Sequence, residues 1–257
     1  MIALVLAAGL GTRFRPDTLT TPKPLLTFNG RPILHHLLDH LLAHGVHRFV
    51  LNSHHLAELL ESAVGTSYRG VPVDFSREEE RILGTAGGIR QAADRGLLGD
   101  GPFLVANGDL YTTLPLHALW RQLDGASSAV ASVLAVLPNE SPQEETPLWS
   151  DSADRLIGVG GRRPKGARGP WLFTGLQAAR PSLVARIPPG VTELAKDVLV
   201  PSALDRDGAF LLKPFQAPEE GFWFDLGSPA KMARAEEELR QRAPHTGSQR
   251  REPGRHS

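Results

Sequence analysis

Ile2-Ala3-Leu4-Val5-Leu6-Ala7-Ala8-Gly9-Leu10-Gly11-Thr12-Arg13 opens the chain, and its two halves ask for different structures. The run Ile2 to Ala7 is continuously apolar, which suits a strand covered on both faces rather than one with a wet side. Gly9 and Gly11 end that run. The end of a buried strand is where open α/β sheets bind ligands. Glycines there let the backbone approach a polyphosphate closely, with amide N–H groups as donors. Arg13 adds a forked cation suited to phosphate oxygens. Lys23 supplies a second cation in Thr21-Pro22-Lys23-Pro24-Leu25, where the flanking prolines restrict the chain and hold the lysine over the same pocket.

Working outward, strand and helix signals alternate. Ile33, Leu34, Leu37, Leu38, Leu41 and Leu42 repeat at helical spacing and stop at Gly45. Val46 to Leu51 reads as a strand, Leu56 to Ala63 as a helix, and Val71, Val73 and Phe75 as an alternating strand. Leu83-Gly84-Thr85-Ala86-Gly87-Gly88 leads into a short helix, and Phe103 to Ala106 is another buried strand ending at Asn107-Gly108-Asp109. This order predicts an α/β fold: a Rossmann-like, doubly wound, mostly parallel mixed sheet forming one domain over 1–242. In the second half, 129–137, 172–178, 210–215 and 222–225 read as strands, with most of 138–170 as surface loop. Ser228-Pro229 caps a helix through Gln241. The polar tail 243–257 reads as disordered.

Composition excludes several classes. Lys and Arg total 28, as do Asp and Glu, so no broad nucleic-acid surface is expected. The absence of cysteine removes disulfides, thiolate metal sites and cysteine nucleophiles. The first apolar run is too short for a signal-peptide core or a membrane span, so a cytoplasmic protein without a membrane partner is expected. His35, His36, His40, His44 and His47 crowd the first helix without a third-ligand pattern and read as a helix flank.

Each motif taken alone has an ordinary reading. Glycine pairs occur in tight turns, Asn-Gly-Asp is a common turn, and an aspartate before a helix is often a cap. The dinucleotide fingerprint fails because Phe14 stands where it needs glycine. Jointly, the pattern is specific. Leu6-Ala7-Ala8-Gly9-x-Gly11-Thr12-Arg13, Pro16, Thr18, Pro22-Lys23-Pro24-Leu25 and Gly30-x-Pro32-Ile33-Leu34 resemble the sugar-1-phosphate nucleotidyltransferases. The sequence is similar to their mannose-1-phosphate guanylyltransferase and N-acetylmuramate-1-phosphate uridylyltransferase branches.

That resemblance implies a Mg²⁺-dependent reaction between an NTP and a sugar 1-phosphate. Arg13, Lys23 and Asp109 are the expected catalytic set, and Asp109 with Asp225 of Trp223-Phe224-Asp225-Leu226-Gly227 the metal ligands. The nucleotide side is expected to use Ala7, Ala8, Gly9, Gly11, Thr12 and Arg13 with Lys23. The base and ribose side would add Glu78, Gly84, Thr85, Ala86 and Asn107. Glu78 or Glu80 is a candidate acceptor for a guanine edge, and the Leu-Gly-Thr-Ala-Gly form points to GTP, with uridylyl or thymidylyl transfer as the alternative. Gly175 in Phe173-Thr174-Gly175, Glu193 and Lys196 are the sugar-phosphate candidates. Many relatives carry Glu-Lys-Pro in mid-chain; Arg162-Arg163-Pro164 stands here, with Arg163 as the candidate replacement cation. A homo-oligomer is compatible with this reading. Three rivals are weighed against it: an enzyme for an alcohol phosphate or a molybdenum cofactor, a non-catalytic nucleotide-sugar-sensing regulatory subunit, and a dinucleotide-binding oxidoreductase. Arg13, Lys23, Asp109 and Asp225 are all present, which argues against the sensor.

Overall fold

Burial on both faces decides the centre of the molecule. A computed structural model of the chain describes residues 1–190, 192–217 and 219–242. Strand β1 (Ile2–Leu6) sends Ala3 and Val5 into one core and Leu4 into the other, and all three are fully buried. The next elements are a small hairpin, β2 (Thr27–Phe28) and β3 (Arg31–Pro32), then α1 (Ile33–Ala43), β4 (Arg48–Ser53) and α2 (Ala57–Val64). They are followed by β5 (Ser67–Tyr68), β6 (Val71–Arg77), α3 (Gly84–Asp94), β7 (Phe103–Asn107) and β8 (Leu110–Thr112). Helix α1 buries Ile33, Leu34, Leu37, Leu38 and Leu41 as its spacing requires, and ends where Gly45 takes a left-handed φ of 84°.

The second half contains α4 (His117–Asp124), β9 (Ser132–Pro138), β10 (Leu148–Ser150), β11 (Leu156–Val159) and β12 (Arg168–Ala179). Then come a π-helical turn at Leu194–Leu199, α5 (Val200–Asp205), β13 (Phe210–Pro214), β14 (Trp223–Asp225) and α6 (Pro229–Arg242). Ten of the strands form one mixed sheet. Its parallel centre runs β7-β1-β4-β6, with β12 joined antiparallel to β7, and β9 antiparallel to β12. The chain moves outward from β1 through β4 to β6, then returns to the other side of β1 as β7. The order reverses between β1 and β7, which opens a crevice at their C-terminal ends. In register there, Leu6 lies between Asn52 and Asn107.

Two readings need refinement. The stretch 138–170 is loop over most of its length, but β10, β11 and the start of β12 also lie in it, and Leu148, Trp149 and Ser150 are buried. These strands are three or four residues long and punctuated by Pro147, Gly158 and Gly160, so periodicity cannot register over their length. The strand read at 172–178 is longer, spanning 168–179, with its register shifted between Phe173 and Gln177 around Gly175. Ser228 caps α6 as expected, its hydroxyl accepting from the Lys231 amide at 3.3 Å. The tail from 243 lies outside the described residues.

Candidate active site

The loop after β1 is braced from beneath by Asn52. Its Oδ1 accepts from the amides of Ala7, at 2.5 Å, and Ala8, at 3.2 Å. Its Nδ2 donates to Glu78 Oε1 at 2.8 Å, and Glu78 Oε2 accepts from the Leu83 amide at 2.8 Å. Asn52 and Glu78 are 3 % and 2 % exposed, so this chain of bonds is internal. Burial raises the Glu78 pKa, against the opposing pull of the Leu83 and Asn52 hydrogen bonds. Gly88 leaves the room: a Cβ there would lie 2.8 Å from Asn52 Nδ2 and 3.0 Å from Glu78 Oε1.

This bracing alters the reading of the loop. The Ala7 and Ala8 amides are spent on Asn52, whereas those of Gly9 to Arg13 donate to no protein acceptor among the described residues. The amides open to a ligand therefore start at Gly9. A Cβ on Gly9 would meet only open space, but one on Gly11 would lie 2.8 Å from Thr18 Cγ2 and 3.0 Å from Lys23 Cβ. Gly11, at φ 61°, is thus a packing requirement that folds the loop back on Thr18 and Lys23. Thr18 seals the fold-back by donating to Gly11 O at 2.8 Å.

The two candidate metal ligands are far apart in sequence and adjacent in space. Strand β14 pairs antiparallel with β8, Asp225 opposite Leu110, and the Leu226 amide donates to Asp109 O at 2.9 Å. Each carboxylate already holds a lysine: Lys23 Nζ is 2.5 Å from Asp109 Oδ2, and Lys231 Nζ is 2.5 Å from Asp225 Oδ2. Lys231 also reaches Glu145 Oε1 at 2.8 Å. Burial lowers the Lys231 pKa, but the bonds to Asp225 and Glu145 outweigh it and the net shift is upward. Arg13 reaches toward the segment that follows β14. Its Nη2 would lie 3.1 Å from a Cβ on Gly227, and it lines the cleft that holds Asp109 and Asp225.

Three cavities with Asn107 in a common wall surround these groups. One of about 270 Å³ is lined by Ala7, Ala8, Gly9, Lys23, Glu78, Gly84, Thr85, Asn107, Asp109 and Glu193. This wall unites most of the expected nucleotide side. A second, of about 280 Å³, has Leu148, Leu172, Phe173, Gly175, Gln177 and Glu193 in its wall. The third, about 260 Å³, joins Arg13, Asn107, Asp109, Glu145, Gly175 and Asp225. Gly175, at φ 78°, sits where a Cβ would come 2.7 Å from Asn107 Nδ2, and Trp223 Nε1 fixes that strand by donating to Thr174 O at 2.8 Å.

Other expected residues fall elsewhere. Ala86 is fully buried and its amide donates to Thr192 O at 3.0 Å, so it packs the start of α3 and lines none of the three cavities. Thr12 is exposed and lines none of the three cavities, and the same holds for Lys196 on the π-helical turn. Glu193 is held at the partition between cavities, accepting from the Thr85 hydroxyl at 3.2 Å. Arg163 binds Ala167 O through both Nε and Nη2 and lies 5.9 Å over the Trp149 ring, committed to its own turn. The helix-flank histidines answer to backbone carbonyls: His36 to Phe28, His40 to Leu114 and His44 to His40. No cluster of three or more potential ligands occurs among the described residues.

Sequence reasoning passed over Asn52, Glu145 and Lys231. The polar pair Asn52-Ser53 at the end of an apolar strand was a signal for the first. Glu145 and Lys231 look like ordinary surface charges until the fold brings them together.

An open α/β sheet with uncommitted amides at its switch point, beside two cations and a convergent pair of aspartates, defines a protein that handles phosphorylated nucleotides. The chain belongs to the nucleotidyl transferase family, whose model matches residues 2–145. It is 32% identical over 240 residues to the N-acetylmuramate alpha-1-phosphate uridylyltransferase of Neisseria meningitidis serogroup B, covering 92% of this chain and 97% of that protein. It is 31% identical to a probable mannose-1-phosphate guanylyltransferase of Oryza sativa, over 89% of this chain and 62% of that protein, and so spans under two thirds of the rice protein's length. In fold, it superposes on the inositol-1-phosphate CTP transferase of T. maritima with a TM-score of 0.74 at 20% identity, over 93% and 95% of the two chains.

Proposed function

We propose that the protein transfers a nucleotidyl group from an NTP to a sugar 1-phosphate in the cytoplasm, releasing pyrophosphate, with residues 1–242 carrying the activity. The observation that carries this reading is the convergence of Asp109 and Asp225 beside Lys23 and the open amides of Gly9 to Arg13. A sugar phosphate oxygen attacks the α-phosphorus, forming a P–O bond as the bond to pyrophosphate breaks. The nucleophile is already anionic near neutral pH, so no general base is required. Positioning and charge neutralisation are then the main tasks. The loop amides hold the triphosphate, and Lys23 meets charge developing between attacking and leaving groups. Arg13 neutralises phosphate oxygens on the Asp225 side.

The donor set fits Mg²⁺: two carboxylates, no thiolate, and each carboxylate drawn to an ammonium group at 2.5 Å. Asp109 and Asp225 would hold the ion, which when bound supplies Lewis-acid charge to the substrate oxygens.

GTP is the first nucleotide to test, on the Gly84-Thr85-Ala86-Gly87 loop. A uridylyl reading has its own support in the match to nearly all of the Neisseria enzyme's length. The test is a matrix of GTP, UTP, dTTP, CTP and ATP against mannose, glucose and N-acetylmuramate 1-phosphates with Mg²⁺, read by pyrophosphate release. At least one pair should turn over; silence across the matrix overturns the proposal.

A further inference from the structure

Any sugar 1-phosphate brings a phosphate dianion to the second cavity. Yet that cavity's wall has no lysine or arginine; its charged members are Glu145 and Glu193, both acidic. Arg163, the sequence's candidate for this task, is tied to Ala167 O and stacked on Trp149. Lys196 is exposed and, among the described residues, makes no ion pair to a side chain of these cavity walls. A dianion placed beside two glutamates with no cation would be repelled rather than bound.

Lys231 is not itself in these walls, but its ammonium is held by two residues that are. Its ammonium bridges Asp225 and Glu145, and Glu145 lines both the sugar-side cavity and the aspartate cleft. It sits in the first turn of α6, fixed by the Ser228 cap, and its side chain is 39 % exposed, so the ammonium remains within reach of solvent and substrate. An ammonium has three donors, and these two carboxylates take two of them. Were Asp225 to hold a hard cation, the ion would compete with Lys231 for that carboxylate, and the ammonium would keep Glu145 with donors to spare at the junction where the sugar phosphate enters.

We propose that Lys231 is the phosphate-binding cation for the sugar 1-phosphate, taking the part that the Glu-Lys-Pro lysine would play and that Arg163 cannot. This rests on the nucleotidyltransferase reading above. Glu145 is its tether, keeping the ammonium at the cavity mouth when Asp225 is otherwise engaged.

The experiment compares wild type, Lys231→Ala, Lys231→Arg and Arg163→Ala on whichever pair the substrate matrix identifies. Steady-state rates give KM for each substrate, and calorimetry gives NTP affinity with Mg²⁺ and no acceptor present. Lys231→Ala should raise the sugar 1-phosphate KM about ten- to a hundred-fold, the range for a lost hydrogen bond to a charged group. NTP affinity should stay within about two-fold by the same principle, since the nucleotide does not use this donor. Lys231→Arg should recover part of the loss, and Arg163→Ala should leave the sugar KM unchanged. If Lys231 merely positions Asp225, Lys231→Ala will instead weaken NTP–Mg²⁺ binding and raise the Mg²⁺ requirement, leaving the sugar KM in place; that result overturns the inference. A sugar KM that moves with Arg163→Ala does the same. Wild-type enzyme that turns over no pair overturns the functional reading itself, and this inference with it.

Discussion

Replacing Asn52 with leucine tests whether the site is built on the brace beneath the first loop. The two side chains are close in size, so little of the effect comes from a void. Three groups lose their partner: the amides of Ala7 and Ala8, and Glu78 Oε1. A buried polar group left unsatisfied costs about 1–3 kcal/mol. Burying a leucine returns about 2 kcal/mol. The net loss should be about 3 kcal/mol, a large part of a typical domain's stability. Urea unfolding followed by circular dichroism should show the midpoint falling by about 1 M, given slopes of about 2–3 kcal/mol/M. Under conditions where the variant is folded, NTP affinity should also drop at least about ten-fold, because the loop that presents Gly9 to Arg13 loses its support. Asn52→Asp sharpens the test. It keeps the acceptor for both amides but sets a second carboxyl group 2.8 Å from Glu78, in place of the amide donor. Two carboxylates that close must share a proton, so this variant should regain stability as pH falls below neutrality, and by more than Asn52→Leu, in which Glu78 only loses a donor. An Asn52→Leu variant with a wild-type urea midpoint, or one destabilised but unchanged in NTP affinity, refutes the view that this brace sets the loop.

Other perturbations address other parts of the molecule. Lys23→Ala should lower kcat by orders of magnitude with little change in NTP affinity by calorimetry, the pattern of a contact made mainly in the transition state; loss of affinity with an intact single-turnover rate would make Lys23 a binding residue. Asp225→Asn removes a charged oxygen from the cleft and should cut turnover at least about a hundred-fold at limiting Mg²⁺ with an unchanged melting temperature, whereas near-normal turnover would remove it from the metal site. Burial, then the neighbouring His44, holds the His40 imidazole down at about 4, so its contribution is present above pH 6.5 and lost as pH falls toward 4. The term is worth about 3 kcal/mol, and His40→Gln should flatten the acid limb of a stability–pH curve over that window; an unchanged limb would contradict the assignment. Gly84→Ala puts a methyl group 2.6 Å from Glu193 Oε1 and 2.7 Å from Thr192 O at a backbone φ of 77°, and should lower stability by about 2 kcal/mol in thermal unfolding; a melting temperature equal to wild type would mean that the 192–194 segment yields freely.

The central half of the fold was legible because its signals are long and local. Ile2 to Ala7 declares a doubly buried strand, the α1 leucines a helix, and the motifs at Gly9, Lys23, Asp109 and Asp225 each lie in a few consecutive residues. What escaped reading depends on partners distant in sequence. Asn52 matters through Ala7 and Glu78, which lie 45 and 26 residues away. Lys231 is one of several charges on a polar helix, and only the approach of Glu145, 86 residues distant, sets it apart. Gly11 has the residue type of a phosphate contact, and its φ and the nearness of Thr18 add a second demand for glycine from the loop's own packing, which the sequence does not reveal. Strands β10 and β11 are too short for periodicity to identify.

The pairing of β14 with β8 has a consequence for how the protein comes into being. Asp109 is made early and is fixed by the parallel sheet, while its companion arrives more than a hundred residues later and is stitched on through three paired positions and the Leu226 amide. On the ribosome, the nucleotide pocket can take shape while the acidic centre is still half built. A nascent chain stalled before Phe222 would therefore present Asp109 without its companion carboxylate. On the function proposed above, activity would require that the segment carrying Asp225 has been synthesised and docked.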